Sequence, residues 1–139
     1  MGTPDFAVPS LEALAKDDRF NVSAVFTQPD KPVGRKRIMT PPDVKVCAQK
    51  LGIEVYQPDT LRTSEAEAQL RALAPDVIVV IAYGKILPAN ILAVPRFCCV
   101  NIHGSLLPKL RGAAPIQRAV IEGEKITGIT SMRMAVGLD

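Results

Sequence analysis

The stretch that decides the fold is V-I-V-V-I-A at residues 77–82. It is a continuous apolar run rich in β-branched residues, without the alternation of polar and apolar positions that a half-exposed strand shows. Such a run predicts a strand covered on both faces, as in a parallel sheet between two layers of helices. With six residues it is far too short to cross a bilayer, so no membrane partner is expected.

Similar apolar runs recur along the chain and alternate with segments of helical pattern. The predicted strands are residues 21–27, 77–82, 98–102 and 126–134, and the predicted helices are residues 9–15, 43–51, 64–74 and 114–122. At the start of the third helix, Ser64 lies three residues before Glu67, which predicts a capping box. The alternation of strand and helix predicts an open, doubly wound α/β sheet that is mostly parallel.

Length and composition are those of one globular domain. The chain has 139 residues, of which 47% are hydrophobic, and this excludes a disordered chain. Cys98 and Cys99 are adjacent and poorly placed to bridge each other, so reduced thiols and a cytoplasmic protein are expected. The single histidine excludes a His-rich metal site, and no metal is expected.

Both ends of the chain look incomplete for such a fold. The first helix begins near Val8, and before the turn-forming Gly2 only Met1 is available for the strand that should precede it. The chain stops at Asp139, shortly after the last predicted strand and without a closing helix. We therefore expect a domain that is truncated at both ends.

The positive charge of the chain is concentrated in one segment. Five basic and two acidic residues lie between Asp30 and Lys45, so this segment accounts for the whole formal net charge of +3. Prolines at positions 29, 32, 41 and 42 bracket it and predict a long surface loop without secondary structure of its own. The G-R-K-R cluster at residues 34–37 predicts an arm that contacts phosphates. The alternative is a solvated surface loop.

A polar group follows the third predicted strand. Asn101 and His103 are two residues apart at its end, so their side chains are expected on the same side. In open α/β sheets the ligand binds beyond the carboxyl ends of the strands. An amide and the chain's one imidazole at that edge predict a catalytic pair, and the alternative for His103 is a hydrogen-bonded structural role.

The sequence of this region resembles the signature of a known family. N-I-H-G-S-L-L-P-K-L-R-G-A-A-P-I-Q at residues 101–117 is similar to the signature of the folate-dependent formyltransferases. The resemblance covers essentially the whole chain, with other motifs agreeing in order and spacing. These motifs are G-T-P-D-F (2–6), F-T-Q-P-D (26–30), A-Y-G-K-I-L-P (82–88), T-G-I-T (127–130) and G-L-D (137–139). The resemblance to this family implies a Rossmann-like sheet.

The resemblance also implies an activity. In the branch of the family that the chain resembles, a formyl group passes from 10-formyltetrahydrofolate to the α-amino group of initiator methionyl-tRNA for translation initiation. The enzyme is expected to be a bacterial-type cytoplasmic monomer. Residues 1–139 are then its N-terminal catalytic domain, without the opening strand and without a C-terminal barrel domain.

The resemblance assigns roles to individual residues. The family's catalytic Asn, His and Asp fall on Asn101, His103 and Asp139. The amide of Asn101 would donate to the oxyanion of a tetrahedral intermediate, His103 would move protons, and Asp139 would orient the imidazole or stabilise its charged form. The expected folate contacts are Ser105, Leu106, Leu107, Pro108, Tyr83 and Gly84, and the expected RNA contacts are Lys31, Arg35, Lys36 and Arg37.

Two alternatives stay open at this point. A related enzyme could use the same three residues on the amine of a sugar nucleotide or ribonucleotide, or could hydrolyse the formyl-folate. A truncated remnant could bind folate or RNA without turnover. The basic segment and the R-G-A-A-P-I-Q stretch at residues 111–117 favour the enzyme that acts on tRNA.

Overall fold

The computed structural model of the chain describes residues 1–137. A 3-10 turn spans Asp5–Ala7 and precedes the first helix. The helices are α1 (Val8–Lys16), α2 (Asp43–Lys50), α3 (Ser64–Leu73), α4 (Ala89–Leu92) and α5 (Pro115–Ile121). The strands are β1 (Val25–Phe26), β2 (Lys31–Val33), β3 (Ile38–Thr40), β4 (Val55–Tyr56), β5 (Val77–Val80), β6 (Cys98–His103) and β7 (Thr130–Arg133).

The main sheet is mostly parallel, as predicted. β1 pairs with β4 and β5 pairs with β6 in parallel, and β7 is added antiparallel to β6.

Met1 and Gly2 join the two parallel pairs. The Gly2 amide donates to the Phe26 carbonyl at 3.0 Å, the Ile81 amide donates to the Met1 carbonyl at 2.9 Å, and Gly2 forms a parallel bridge with Ile81. A Cβ at position 2 would lie 2.9 Å from the Ala7 Cβ, so only glycine fits here without displacing its neighbours. These two residues therefore stand where the sequence predicted a missing strand, between β1 and β5.

Helices cover both faces of the sheet. On one face Phe26, Ile78 and Val80 pack with Leu70 of α3 and Ile91 of α4. Burial of alternate strand residues on opposite faces is what a doubly wound sheet requires.

The opposite face is covered by the first two helices. Val25 and Ile81 pack there with Ala7 and with Val44 and Ala48 of α2. β1 and β5 thus each contribute side chains to two cores, which explains the continuous apolar run at β5.

Three strands are shorter than predicted, β5 by the least, since it ends at Val80 and not at residue 82. β1 covers only Val25–Phe26 of the predicted 21–27, because its partner β4 has two residues. β7 begins at Thr130, because its partner at that point is His103, the last residue of β6. Residues 126–129 have no ladder partner, and Ile126 and Ile129 are exposed.

The prediction of a loop without secondary structure at residues 29–42 is wrong. β2 and β3 form an antiparallel hairpin, with Val33 opposite Ile38 and Pro32 opposite Met39. A turn closes it, in which the Arg37 amide donates to the Gly34 carbonyl at 3.1 Å. Proline is tolerated because a two-stranded ribbon has outer edges that need no donor. We call residues 31–40 the basic hairpin.

The N-cap of α3 is one residue earlier than predicted. The Thr63 hydroxyl accepts a hydrogen bond from the Ala66 amide at 3.2 Å, and Ser64 is already in the first turn. Glu67 does not complete a capping box, because it accepts instead from Arg71 at 2.8 Å and from Asn90 at 2.6 Å.

The capping assignment predicts unequal effects of two neighbouring substitutions. We expect Thr63→Ala to lower the free energy of unfolding by about 1 kcal/mol, because one amide of the first turn loses its partner. The matched Ser64→Ala variant should change it by less than about 0.5 kcal/mol, as is usual for exposed positions. Urea unfolding of both variants checks this, and equal effects would contradict it.

Candidate active site at the carboxyl edge of the sheet

The two polar residues at the end of β6 share one face of the sheet, as predicted. Along β6 the residues alternate in burial, and Cys99, Asn101 and His103 form the buried set. Asn101 is 8% exposed and lies between Val80 of β5 and Met132 of β7. A buried amide and a buried imidazole, two residues apart on β6, thus lie at the carboxyl edge of the sheet, where ligands of such sheets bind.

His103 is held by the loop that follows it. Its Nε2 lies 2.9 Å from the Leu110 carbonyl oxygen. A carbonyl can only accept, so Nε2 carries the proton and donates. The contact fixes the orientation of the ring and ties residue 103 to the far end of the loop at residues 104–110.

Thr130 at the start of β7 holds the near end of the same loop. Its hydroxyl donates to the Ser105 carbonyl at 2.7 Å and accepts from the Leu107 amide at 3.1 Å. The Ser105 hydroxyl donates to the Lys109 carbonyl at 2.7 Å. The loop is therefore closed on itself and fastened to two strands of the sheet.

The four predicted folate contacts in this loop differ in exposure. Ser105 is 1% exposed and its hydroxyl is occupied within the loop. Leu106 is 46% exposed and lines a cleft of about 520 Å³ that also includes Lys109 and residues 122–127. Leu107 is half-buried and Pro108 is exposed. The exposed apolar surface of this loop therefore lies on Leu106 and Pro108, with part of Leu107.

Tyr83 does not offer its side chain to a pocket. Its ring lies in the core with Phe26 and Leu87 and is 2% exposed. Burial raises the pKa of Tyr83 to about 12, so the phenol stays protonated. The Tyr83 carbonyl accepts from the Thr3 hydroxyl at 2.8 Å. Gly84 beside it is exposed, with φ +80°.

Gln28 is a residue at this edge that the sequence analysis passed over. It follows β1, and its side-chain amide donates to the Gly84 carbonyl at 3.0 Å and the Tyr83 carbonyl at 3.2 Å. The signal was available, because Gln28 is a polar residue next to the carboxyl end of a predicted strand, and position at a strand end is what singled out Asn101 and His103. Thr130 was also not predicted as a site residue, and appeared in the sequence only as part of the T-G-I-T motif.

The third predicted catalytic residue, Asp139, lies outside the described residues. Within residues 1–137, no three His, Cys, Asp or Glu side chains are grouped so that they could hold a metal ion. In the same part of the chain, no helix has both the length and the apolar character needed to cross a membrane.

The basic hairpin carries the four predicted RNA contacts. Lys31, Arg35, Lys36 and Arg37 are exposed, and among residues 1–137 none of them forms an ion pair. The cluster is therefore an uncompensated positive surface, of the kind that binds polyanions.

Comparison with known proteins supports the family suggested by the motifs. A family model described as "Formyl transferase" matches residues 1–139. The chain is 57% identical over 139 residues to methionyl-tRNA formyltransferase of Macrococcus caseolyticus, covering 100% of this chain and 44% of the relative. It is 60% identical over 138 residues to the protein of that name from Halorhodospira halophila, covering 99% and 44%. The chain thus spans less than half the length of these curated relatives.

A solved structure agrees with the fold. Phosphoribosylglycinamide formyltransferase from Bacillus halodurans superposes with a TM-score of 0.75 at 23% identity, covering 99% of this chain and 71% of that one. With the family model matching from the first residue to the last, the chain belongs to the formyl transferase family.

Proposed function

We propose that the full-length protein transfers a formyl group from 10-formyltetrahydrofolate to the α-amino group of initiator methionyl-tRNA. The observation that carries the proposal is the pair of buried side chains, Asn101 and His103, on one face at the carboxyl end of β6. Residues 1–139 serve as its catalytic domain, and the reaction takes place in the cytoplasm.

The chemistry needs two groups, and the pair supplies them. When the amine nitrogen attacks the formyl carbon, the carbonyl oxygen becomes an oxyanion. The Asn101 amide donates to this oxygen, an interaction for which single-donor deletions cost about 2.7–4 kcal/mol in other enzymes. His103 accepts the proton that the attacking amine loses, since imidazole is suited to proton transfer near neutral pH.

Collapse of the intermediate completes the reaction. The bond between the formyl carbon and N10 of the folate breaks, and His103 returns the proton to N10. No proton is gained or lost overall, and the products are tetrahydrofolate and the formylated amine. Asp139 would stabilise the imidazolium between the two steps. The folate ring packs on the loop of Ser105, Leu106, Leu107 and Pro108, and on the backbone at Tyr83 and Gly84.

The choice of an RNA substrate is supported by the basic hairpin. A small amine has no groups that would pair with the four exposed cations of the hairpin. Each phosphate of an RNA can pair with one of them. The names of the relatives that are 57% and 60% identical point the same way.

Removing charge from the hairpin tests this choice. Replacing Arg35, Lys36 and Arg37 together by glutamine should weaken tRNA binding at low salt and lower the salt slope of log Kd by about 2 to 3, at about 0.7–0.9 per charge. Folate affinity should not change. Filter binding across salt concentrations measures the slope, and an unchanged slope would reduce the hairpin to a solvated surface feature.

The proposal as a whole is tested by product analysis. The full-length protein is given 10-formyltetrahydrofolate with charged initiator tRNA, and formylation is followed on acid gels. Formyl-methionyl-tRNA is expected. The absence of that product, together with formylation of a sugar nucleotide or glycinamide ribonucleotide in parallel reactions, would assign the protein to another branch of the family. Release of formate alone would indicate a formyl-folate hydrolase.

A further inference from the structure

No residue of the basic hairpin belongs to either of the two hydrophobic core clusters. Every residue from 31 to 40 is exposed, including Val33, Ile38 and Met39. A two-stranded hairpin of three residues a strand is marginally stable alone and gains nothing here from a core. Its orientation must therefore be set where it leaves the sheet.

Asp30, directly before β2, is the residue at that point. Its two carboxylate oxygens accept from Lys45 Nζ at 2.8 and 2.9 Å, and one also accepts from Gln57 Nε2 at 2.7 Å. Lys45 belongs to α2 and Gln57 follows β4. One carboxylate thus connects the base of the hairpin to a helix and to the edge of the sheet.

The contacts continue from Asp30 to the active-site edge. Gln57 Nε2 also donates to the Gln28 carbonyl at 2.9 Å, and the Gln28 side chain in turn donates to the carbonyls of Tyr83 and Gly84. The ends of β1, β4 and β5 are linked in this way. The hydrogen bonds from Gln57 and Lys45 also lower the pKa of Asp30, so the carboxylate stays charged at neutral pH.

We propose that Asp30 is a positioning residue, which holds the basic hairpin in a fixed orientation relative to the carboxyl edge so that one RNA contacts both. The inference rests on the proposed function for its substrate. Charge-assisted hydrogen bonds from Lys45 of α2 and from Gln57 after β4 are strong enough to orient an arm of about 10 Å, the length of three residues per strand.

A purely structural role for Asp30 makes a different prediction. In that case Asp30→Asn would lower the stability of the protein and its overall turnover in the same way as loss of another surface ion pair, with no specific effect on the hairpin. Asp17 is a matched control, because its carboxylate is 30% exposed and paired with Arg19, against 32% exposed and paired with Lys45 for Asp30. Asp17 lies at the end of α1 and is not part of the segment that leads into the hairpin.

The first arm of the test needs no substrate. Asp30→Asn and Lys45→Met should accelerate tryptic cleavage after residues 35–37 in the native full-length protein, measured by mass spectrometry. Asp17→Asn and the conservative Lys45→Arg should leave that rate at the wild-type value. Thermal unfolding shows whether the variants are equally folded. Cleavage rates in Asp30→Asn equal to those in Asp17→Asn would overturn the inference.

The second arm measures the reaction. Asp30→Asn should raise KM for methionyl-tRNA about 3- to 10-fold, the range for loss of an ordinary hydrogen bond, because the amide oxygen of asparagine can still accept, and kcat at saturation should be unchanged. In a protein whose hairpin is already neutralised at Arg35, Lys36 and Arg37, the same substitution should add no further effect. An equal effect in both backgrounds, or a loss confined to kcat, would overturn the inference.

The two arms separate this inference from the proposed function. A wild-type protein that does not formylate methionyl-tRNA contradicts the proposed function, whatever the cleavage rates are. Accelerated cleavage with an unchanged KM for tRNA overturns the positioning role while leaving the proposed function intact.

Discussion

Replacing His103 with alanine lowers kcat for formyl transfer by roughly 10²–10⁴-fold, the range for loss of a general acid–base group. The proton of the attacking amine then has no acceptor in the site, while folate binding keeps its apolar contacts in the loop after β6. Single-turnover formylation with saturating substrates measures the rate, and equilibrium titration measures folate affinity, which should change little.

A second variant separates proton transfer from loop structure. His103 also donates to the Leu110 carbonyl, so alanine removes a structural contact as well. Glutamine at position 103 can still donate there but cannot exchange protons at neutral pH. We expect His103→Gln to be as impaired as the alanine variant, and Ile102→Val, on the opposite face, to be active. Near-wild-type turnover in His103→Gln would remove His103 from the chemistry.

Replacing Asn101 with alanine should lower kcat by roughly 10²–10³-fold, the cost of removing one oxyanion donor. Asn101→Asp should be at least as impaired, because a carboxylate of nearly the same shape repels the oxyanion in place of donating to it. The same single-turnover assay measures both variants. An active Asn101→Asp protein would show that the amide is not needed as a donor.

Folding controls accompany the Asn101 variants. The residue is buried between β5 and β7, so a change in stability has to be distinguished from a change in chemistry. Near-unchanged thermal unfolding and folate affinity in Asn101→Asp would assign the lost rate to the transition state. Lost folate binding together with lost stability would contradict the role of oxyanion donor.

The strands of the central sheet could be predicted because buried strands consist of consecutive apolar residues. Residues 78–81 supply alternate side chains to two cores, and a run without polar interruptions serves both. Asn101 and His103 could be predicted for the same reason. They are the polar exceptions at the end of such a run, two residues apart and therefore on one face.

The features that were not predicted are one local hairpin and two arrangements that depend on contacts distant in sequence. The prolines at positions 29, 32, 41 and 42 predict a loop. Val33 and Ile38, on either side of a glycine-containing turn, nevertheless pair as a ribbon. The place of Met1 and Gly2 is set by Phe26 and Ile81. The inward turn of the Tyr83 side chain follows from core packing, which no local pattern specifies.

The central claim is that the reacting formyl group lies between Asn101 and His103. The most direct measurement is a crystal structure of the full-length protein with a formyl-folate analogue that cannot release its formyl group. We predict that the formyl oxygen accepts from the Asn101 amide at hydrogen-bond distance, about 2.7–3.2 Å, with the ring on Leu106 and Leu107. An analogue bound with its formyl group beyond hydrogen-bond distance of both side chains would contradict this role of the pair.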